Sequence, residues 1–218
     1  MGDHDHAIAG SPTGVTAVGR NDRGEISEPF VWALPRLSWR QTRARIRADR
    51  DRLKSLLLAN AGFPQPILLH PSFVCVFLYR ISNHFFRAGH SFLARLFWQF
   101  NAMLTGADIS AAADLGEGLV IMSPAGTAIM GTAGRNLTVM PCAGMGGELG
   151  RRENVGAGPG LPLLGDEVIL EPHSGALGPI RVGTGVRVTG GVAVTRDVPD
   201  GFVVEGPTPR FIPRRDLS

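Results

Sequence analysis

A chain of 218 residues with 44% apolar content and 29 glycines is long enough to bury a core and too apolar to stay disordered. Its formal net charge of +3 rests on arginine, Lys54 being the only lysine, and so small an excess is no argument for nucleic acid. Two cysteines, Cys75 and Cys142, make no disulfide framework and fit a reducing cytoplasmic compartment.

Residues 1–28 are polar and glycine-rich, with Asp3, His4, Asp5 and His6 where a signal peptide would carry its apolar core, so they read as a disordered tail. His4 and His6 are too few to hold a metal, and none is expected. Residues 29–104 read as a helical domain. Trp39 to Ala61 predicts a helix with a basic first half (Arg40, Arg43, Arg45, Arg47, Arg50, Arg52) and an apolar end at Leu53 and Leu56 to Leu58. Its arginines form either a solvated face or a surface for an anionic partner. Ser55 to Tyr79 carries no charged residue and reaches membrane-span length, but Pro64, Pro66 and Pro71 interrupt it, so packed helices are expected rather than a spanning one. Ser72–Arg87 and Ser91–Leu104 predict two more helices broken at Gly89, with apolar stripes too broad to stand alone. His70, His84 and His90 read as structural.

From Thr105 the pattern changes. Leu164, Leu170, Ala176, Val182, Val188 and Val194 fall on a six-residue beat, and Val168, Ile180, Val186 and Val192 sit two residues ahead of four of them. The same register begins at Ile109, Leu115 and Ile121. A helix repeats near 3.6 residues and a strand near 2, so a period of six fits neither and marks a parallel β-helix: one short strand and one turn per hexapeptide, three to a coil. Val182-Gly183-Thr184-Gly185 and Leu115-Gly116-Glu117-Gly118 place a glycine pair just past the inward residue, where the chain must bend. The fold class is thus mainly β, a left-handed β-helix of four to five coils over 105–212 with an α-helical N-terminal cap and a tail at 213–218. The repeat gives out near Pro199. The irregular stretch 144–162, with Arg151 and Arg152, has to leave the stack as a protruding loop.

Over roughly residues 63 to 212 the chain resembles the serine acetyltransferase family of hexapeptide acyltransferases. The resemblance is carried by Tyr79-Arg80-Ile81, by Leu104-Thr105-Gly106-Ala107-Asp108-Ile109, and by Gly116-Glu117-Gly118 with Gly126 after it. Gly146-Gly147, Leu177-Gly178-Pro179-Ile180-Arg181-Val182-Gly183, and Asp197-Val198-Pro199 followed by Gly206 and Arg210 continue it in order. It implies a homotrimer or dimer of trimers, acyl-CoA as co-substrate in a groove between solenoids, and transfer of an acyl group to a hydroxyl or amine of a small molecule. The alternative is a relative that kept the groove and acts as a scaffold or in another reaction.

The resemblance fails at the chemistry. The family's base is an imidazole, needed because a neutral alcohol is a poor nucleophile, and its Asp-His pair falls on Met122 and Ser123. A second family histidine falls on Leu161, and a cap histidine on Asn83. Candidates for a chemical role are Ser123, His173 at a coil turn, Asp108 entering the first coil, and Cys142, expected as a small buried thiol with an acyl-accepting role as the alternative. Gly146, Gly147, Ser174, Gly190, Gly191, Arg196 and Arg210 are carried over as the CoA-binding set.

Overall fold

The computed structural model describes residues 16–17, 30–31, 34–61, 66–148 and 150–207. Arg210, His4, His6 and most of the expected N-terminal tail lie outside these residues; within the tail, Thr16–Ala17 pairs antiparallel with Phe30–Val31. Three helices come first: α1 (Trp39–Ala61), α2 (Pro71–Arg87) and α3 (Ser91–Thr105). Helix α1 begins at a capping box, where Gln41 N donates to Ser38 Oγ and Ser38 N donates to Gln41 Oε1. Helix α2 starts with Pro71 at its first turn, where a missing N–H costs nothing, and His70 Nδ1 accepts from Ser72 N. Helix α3 ends at Gly106 in the left-handed conformation. Among the described residues no helix is long and apolar enough to cross a membrane.

The rest is a left-handed parallel β-helix of five coils, its strands stacked into three sheets of four, five and five. One face is built from Asp108–Ile109, Ala128–Ile129, Gly144–Gly146, Gly175–Leu177 and Ala193–Val194. The predicted register holds: Leu164, Leu170, Ala176, Val182 and Val188 are all buried in one column with Ile109, Leu115 and Ile121. The stack runs past Pro199, because Val203–Val204 pairs with Arg187–Val188 and Val198 bridges Val182. The excursion is also shorter than read from sequence: Gly144–Gly146 is a ladder strand, and only residues 147–162 leave the stack. One slip interrupts the beat. Ile129 follows Ile121 by eight positions instead of six and Ala133 follows Ile129 by four, so a long turn at 123–127 is offset by a short one and the column stays filled.

Hydrogen-bond direction explains the helical cap. Strand N–H groups of each coil donate to carbonyls of the next, as Asp114 N to Gly131 O, Thr132 N to Pro162 O and Leu163 N to Ile180 O. The carbonyls of the first coil therefore point at the open end with no strand to receive them, the usual liability of a sheet edge. Cap side chains take their place. Tyr79 Oη donates to Ala113 O at 2.9 Å, Asn83 Nδ2 to Ala111 O and Ala113 O, Ser72 Oγ to Met122 O, and Arg52 to Gly118 O at 2.6 Å. Arg80 donates to Leu115 O at 2.6 Å and to Gly116 O, and is held by Asp49 at 2.8 and 3.1 Å, both side chains only 1% exposed. Asp49 in turn accepts from Leu119 N at 2.8 Å. Burial would drive the Arg80 guanidinium towards neutrality, but the Asp49 charge outweighs it and raises its pKa. Cys75, Val76 and Tyr79 of α2 share one core with the coil column. The arginines of α1 thus do not form a uniformly solvated face: Arg40, Arg43 and Arg47 are exposed, while Arg45 and Arg52 are half-buried against the first coils.

Candidate active site

Turns between the third face and the first repeat a single device. Gly106, Gly126, Cys142, His173 and Gly191 all have positive φ, and the turn amides of Gly126, His173 and Gly191 donate back to the previous coil, at Gly106 O, Pro141 O and Pro172 O. Glycine adopts this conformation freely, whereas a side chain costs about 1–2 kcal/mol there. Cys142 (φ 57) and His173 (φ 60) stand in it nonetheless.

Beside this corner a cleft of about 300 Å³ runs along the face, lined by Gly126, Ala128, Gly144, Gly146, Cys142 and Ser174, with Gly147 and Leu177 at its far side. Small residues keep it open for a reason visible in the packing. A Cβ on Gly144 would lie 2.2 Å from Ala128 O, so glycine is required there, while one on Gly146 would meet nothing within 4 Å and would only fill the cleft. Ser174 is the polar exception. It stands two residues before the inward Ala176, a place filled on neighbouring coils by Ala143 and Val192; it is 4% exposed, and its Oγ has no hydrogen-bond partner.

The structure gathers Ser123, Cys142, His173 and Ser174 at one corner on successive coils. Ser123 opens the long turn that ends at Thr127, whose Oγ1 donates to Ser123 O at 3.3 Å. Cys142 lies directly over that turn, its Sγ 3.9 Å from Ala125 O, and it is exposed, correcting the expectation of a buried thiol. The correction has a local cause: the left-handed turn swings residue 142 off the inward column, which Ala143 fills instead. His173 is exposed on the next coil. Asp108, at the bottom of the face, accepts from Trp98 Nε1 at 2.8 Å, which ties it to α3 rather than to the cleft.

Of the carried-over CoA set, Gly146, Gly147 and Ser174 line the cleft. Gly190 and Gly191 lie one coil beyond Ser174, where the Gly190 amide donates to Glu171 Oε2 at 3.1 Å and Glu171 also holds Arg187. The Arg187 guanidinium keeps the Glu171 carboxyl below the usual carboxylate range. Arg196 is exposed beyond the last strand of this face. The loop 147–162 is tied to itself and to the stack: Asn154 Oδ1 accepts from Gly156 N and Gly158 N at 2.9 and 3.0 Å, and Arg181 donates to Val155 O at 3.2 Å. It delivers Leu161 to the cleft rim, where a Cβ on Gly147 would be 3.3 Å from Leu161 Cδ2. Among the described residues no cluster of three or more His, Cys, Asp or Glu could hold a metal.

A five-coil left-handed β-helix, capped by helices and carrying a small-residue cleft along one face, defines a protein of the hexapeptide-repeat transferase class. No protein-family profile matches the chain. It is 30% identical over 171 residues to the serine acetyltransferase of Bacillus subtilis, covering 73% of this chain and 75% of that one, and 30% identical over 166 residues to that of Mycobacterium tuberculosis, covering 75% and 69%. Among solved structures it resembles a serine acetyltransferase of Neisseria gonorrhoeae with a TM-score of 0.67 at 23% identity, covering 78% of this chain and 66% of that one. It also resembles isoform 3 from Entamoeba histolytica, solved with cysteine, at 0.65 and 20%, covering 81% and 62%. The chain belongs to the serine acetyltransferase family. What sets it apart is a cleft flanked by Ser123 and Leu161, the two positions where the family resemblance places histidine.

Proposed function

We propose that this chain is an acyltransferase that binds acyl-CoA along the cleft and passes the acyl group to a small-molecule acceptor in the cytoplasm. The cleft itself carries the reading: glycines at 144, 146 and 147 open strand-edge backbone to a pantetheine arm, and Ser174 offers an unused hydroxyl at its wall. Family membership supports acyl-CoA as the co-substrate, since the relatives are named for acetyl transfer. Free L-serine is a poor acceptor here. Its neutral hydroxyl needs a base to attack a thioester, and neither Ser123 nor Leu161 supplies one, a loss that typically costs about 100-fold to 10,000-fold in rate. Amines, which attack thioesters from a neutral fraction without such help, are the favoured acceptors.

Oligomerisation belongs to the same proposal. Phe92, Leu96, Phe100, Met103 and Leu104 leave an apolar stripe on the outer side of α3, and Leu68 and Leu69 add to it nearby, so a homotrimer or dimer of trimers is the state expected in solution. The experiment is CoA binding by calorimetry, followed by thiol release from acetyl-CoA with L-serine and with a panel of primary amines. Binding with amine-dependent release supports the reading; no CoA binding by a folded oligomer overturns it. Efficient turnover of L-serine would instead show that the base has been relocated, with His173→Ala the first variant to test.

A further inference from the structure

We infer that Cys142 accepts the acyl group covalently, so that transfer in this cleft runs through a thioester on the protein itself. The inference rests on the reading that acyl-CoA occupies the cleft, and it adds the group that replaces the missing histidines.

Three observations converge. Cys142 is an exposed thiol on the cleft wall, one coil above the turn that begins at Ser123, so it lies where the family site would place its chemistry. It is presented by a positive-φ turn where the two preceding coils use Gly106 and Gly126, a strained placement that lifts the sulfur out of the inward column. Ser174 lines the same cleft with a hydroxyl that is buried and has no partner, an arrangement that is costly unless something else receives its proton. The carbonyl oxygen of a thioester lying along the glycine face is such an acceptor.

The chemistry follows from the residues present. A hydroxyl needs a base, but a thiol is partly ionised near neutral pH and is intrinsically very nucleophilic, so loss of an imidazole disables serine-type attack far more than cysteine-type attack. The Cys142 thiol loses its proton to solvent at this exposed corner, and the thiolate attacks the acyl carbonyl. Ser174 Oγ–H donates to the carbonyl oxygen as it gains negative charge. The new carbon–sulfur bond to Cys142 forms as the bond to the CoA sulfur breaks, and the CoA thiolate leaves and takes a proton from water. One thioester replaces another, so the exchange is close to balanced. In the second half an acceptor amine attacks the same carbonyl, Cys142 leaves as the thiolate, and the ammonium proton returns to solvent.

The test is intact-mass analysis of the full chain after incubation with acetyl-CoA, with peptide mapping, and with CoA affinity measured in parallel. One acetyl group on Cys142, released by hydroxylamine and absent from Cys142→Ala, is the expected result. Cys75 serves as the internal control, since burial pushes its thiol up to about 11 and it should stay unlabelled in the folded chain. Ser174→Ala should leave CoA affinity unchanged and slow labelling roughly 100-fold to 1,000-fold, the usual cost of removing one donor to an oxyanion. A chain that binds CoA yet stays unlabelled overturns the inference and leaves the acyltransferase reading standing. Labelling at equal rates in wild type, Ser174→Ala and urea-unfolded protein overturns it too, since the reaction would then be that of any exposed thiol. Failure to bind CoA at all removes both.

Discussion

Asp49 is the residue whose loss should be felt furthest, although it looks from the sequence like one acidic side chain among the arginines of α1. It holds Arg80 through bonds of 2.8 and 3.1 Å, and Arg80 closes the open carbonyls of Leu115 and Gly116. In Asp49→Ala the guanidinium stays buried with no counter-charge and Leu119 N loses its acceptor. Removing one partner of a buried pair costs about 3–5 kcal/mol. At about 2–4 °C per kcal/mol for a chain of this size, the melting temperature should fall by roughly 6–20 °C. Asp49→Asn, which keeps an oxygen for Leu119 N but not the charge, should fall between. Urea unfolding followed by far-UV circular dichroism measures the free energy, and Trp39 fluorescence reports the cap separately because its ring stacks 3.7 Å from His84. A loss in Asp49→Ala no larger than that of an ordinary surface substitution, below about 0.5 kcal/mol, would refute the view that the cap is held to the first coil by this pair.

Other perturbations probe the column, the site and the cap. Val182→Asp places an unpaired charge in the inward column, where Val182 is 2% exposed, and should unfold the solenoid at a cost of at least several kcal/mol; unchanged thermal melting would show that the side chain finds water. Ser123→His returns an imidazole to the turn beneath Cys142 and should raise transfer to hydroxyl acceptors by at least about 10-fold; the thiol-release assay would show no gain if the cleft does not hold acyl-CoA there. Cys142→Gly and His173→Gly relieve positive-φ turns and should each stabilise the fold by about 0.5–1 kcal/mol, with a drop in melting temperature contradicting the strain. His84 is buried against Trp39, accepts or donates a hydrogen bond with Thr42 Oγ1 at 3.0 Å, and has its pKa lowered first by burial and then by His90. Its unfolded imidazole therefore binds protons more readily than the folded one, so stability is full above about pH 6.5 and declines as pH falls towards the folded value. His84→Gln should flatten that decline in pH-dependent melts.

Much of the architecture was legible because it is written locally. A coil repeats its inward residue every six positions whatever lies around it, so Leu164 to Val194 announced the column, and helix signals such as Pro71 and Gly106 sit next to the ends they cause. Even the family site could be located, since the motifs around Gly116, Gly146 and Gly178 run in order, and the absence of histidine at Ser123 and Leu161 is a fact of sequence alone. What the sequence left open depends on groups that meet from distant parts of the chain. Arg80 reads as one position on a helical stripe, and only the stacked first coil, with carbonyls of Leu115 and Gly116 facing an open end, makes it the closure of that end with Asp49 as its partner. Cys142 reads as a small buried thiol because it neighbours the inward Ala143; the sign of one backbone dihedral turns it outward, and residue type alone does not fix that sign. Ser174 looks like an ordinary turn serine. Its hydroxyl becomes chemically interesting only once the coils on either side have excluded every partner from it, and that exclusion is a property of the stack.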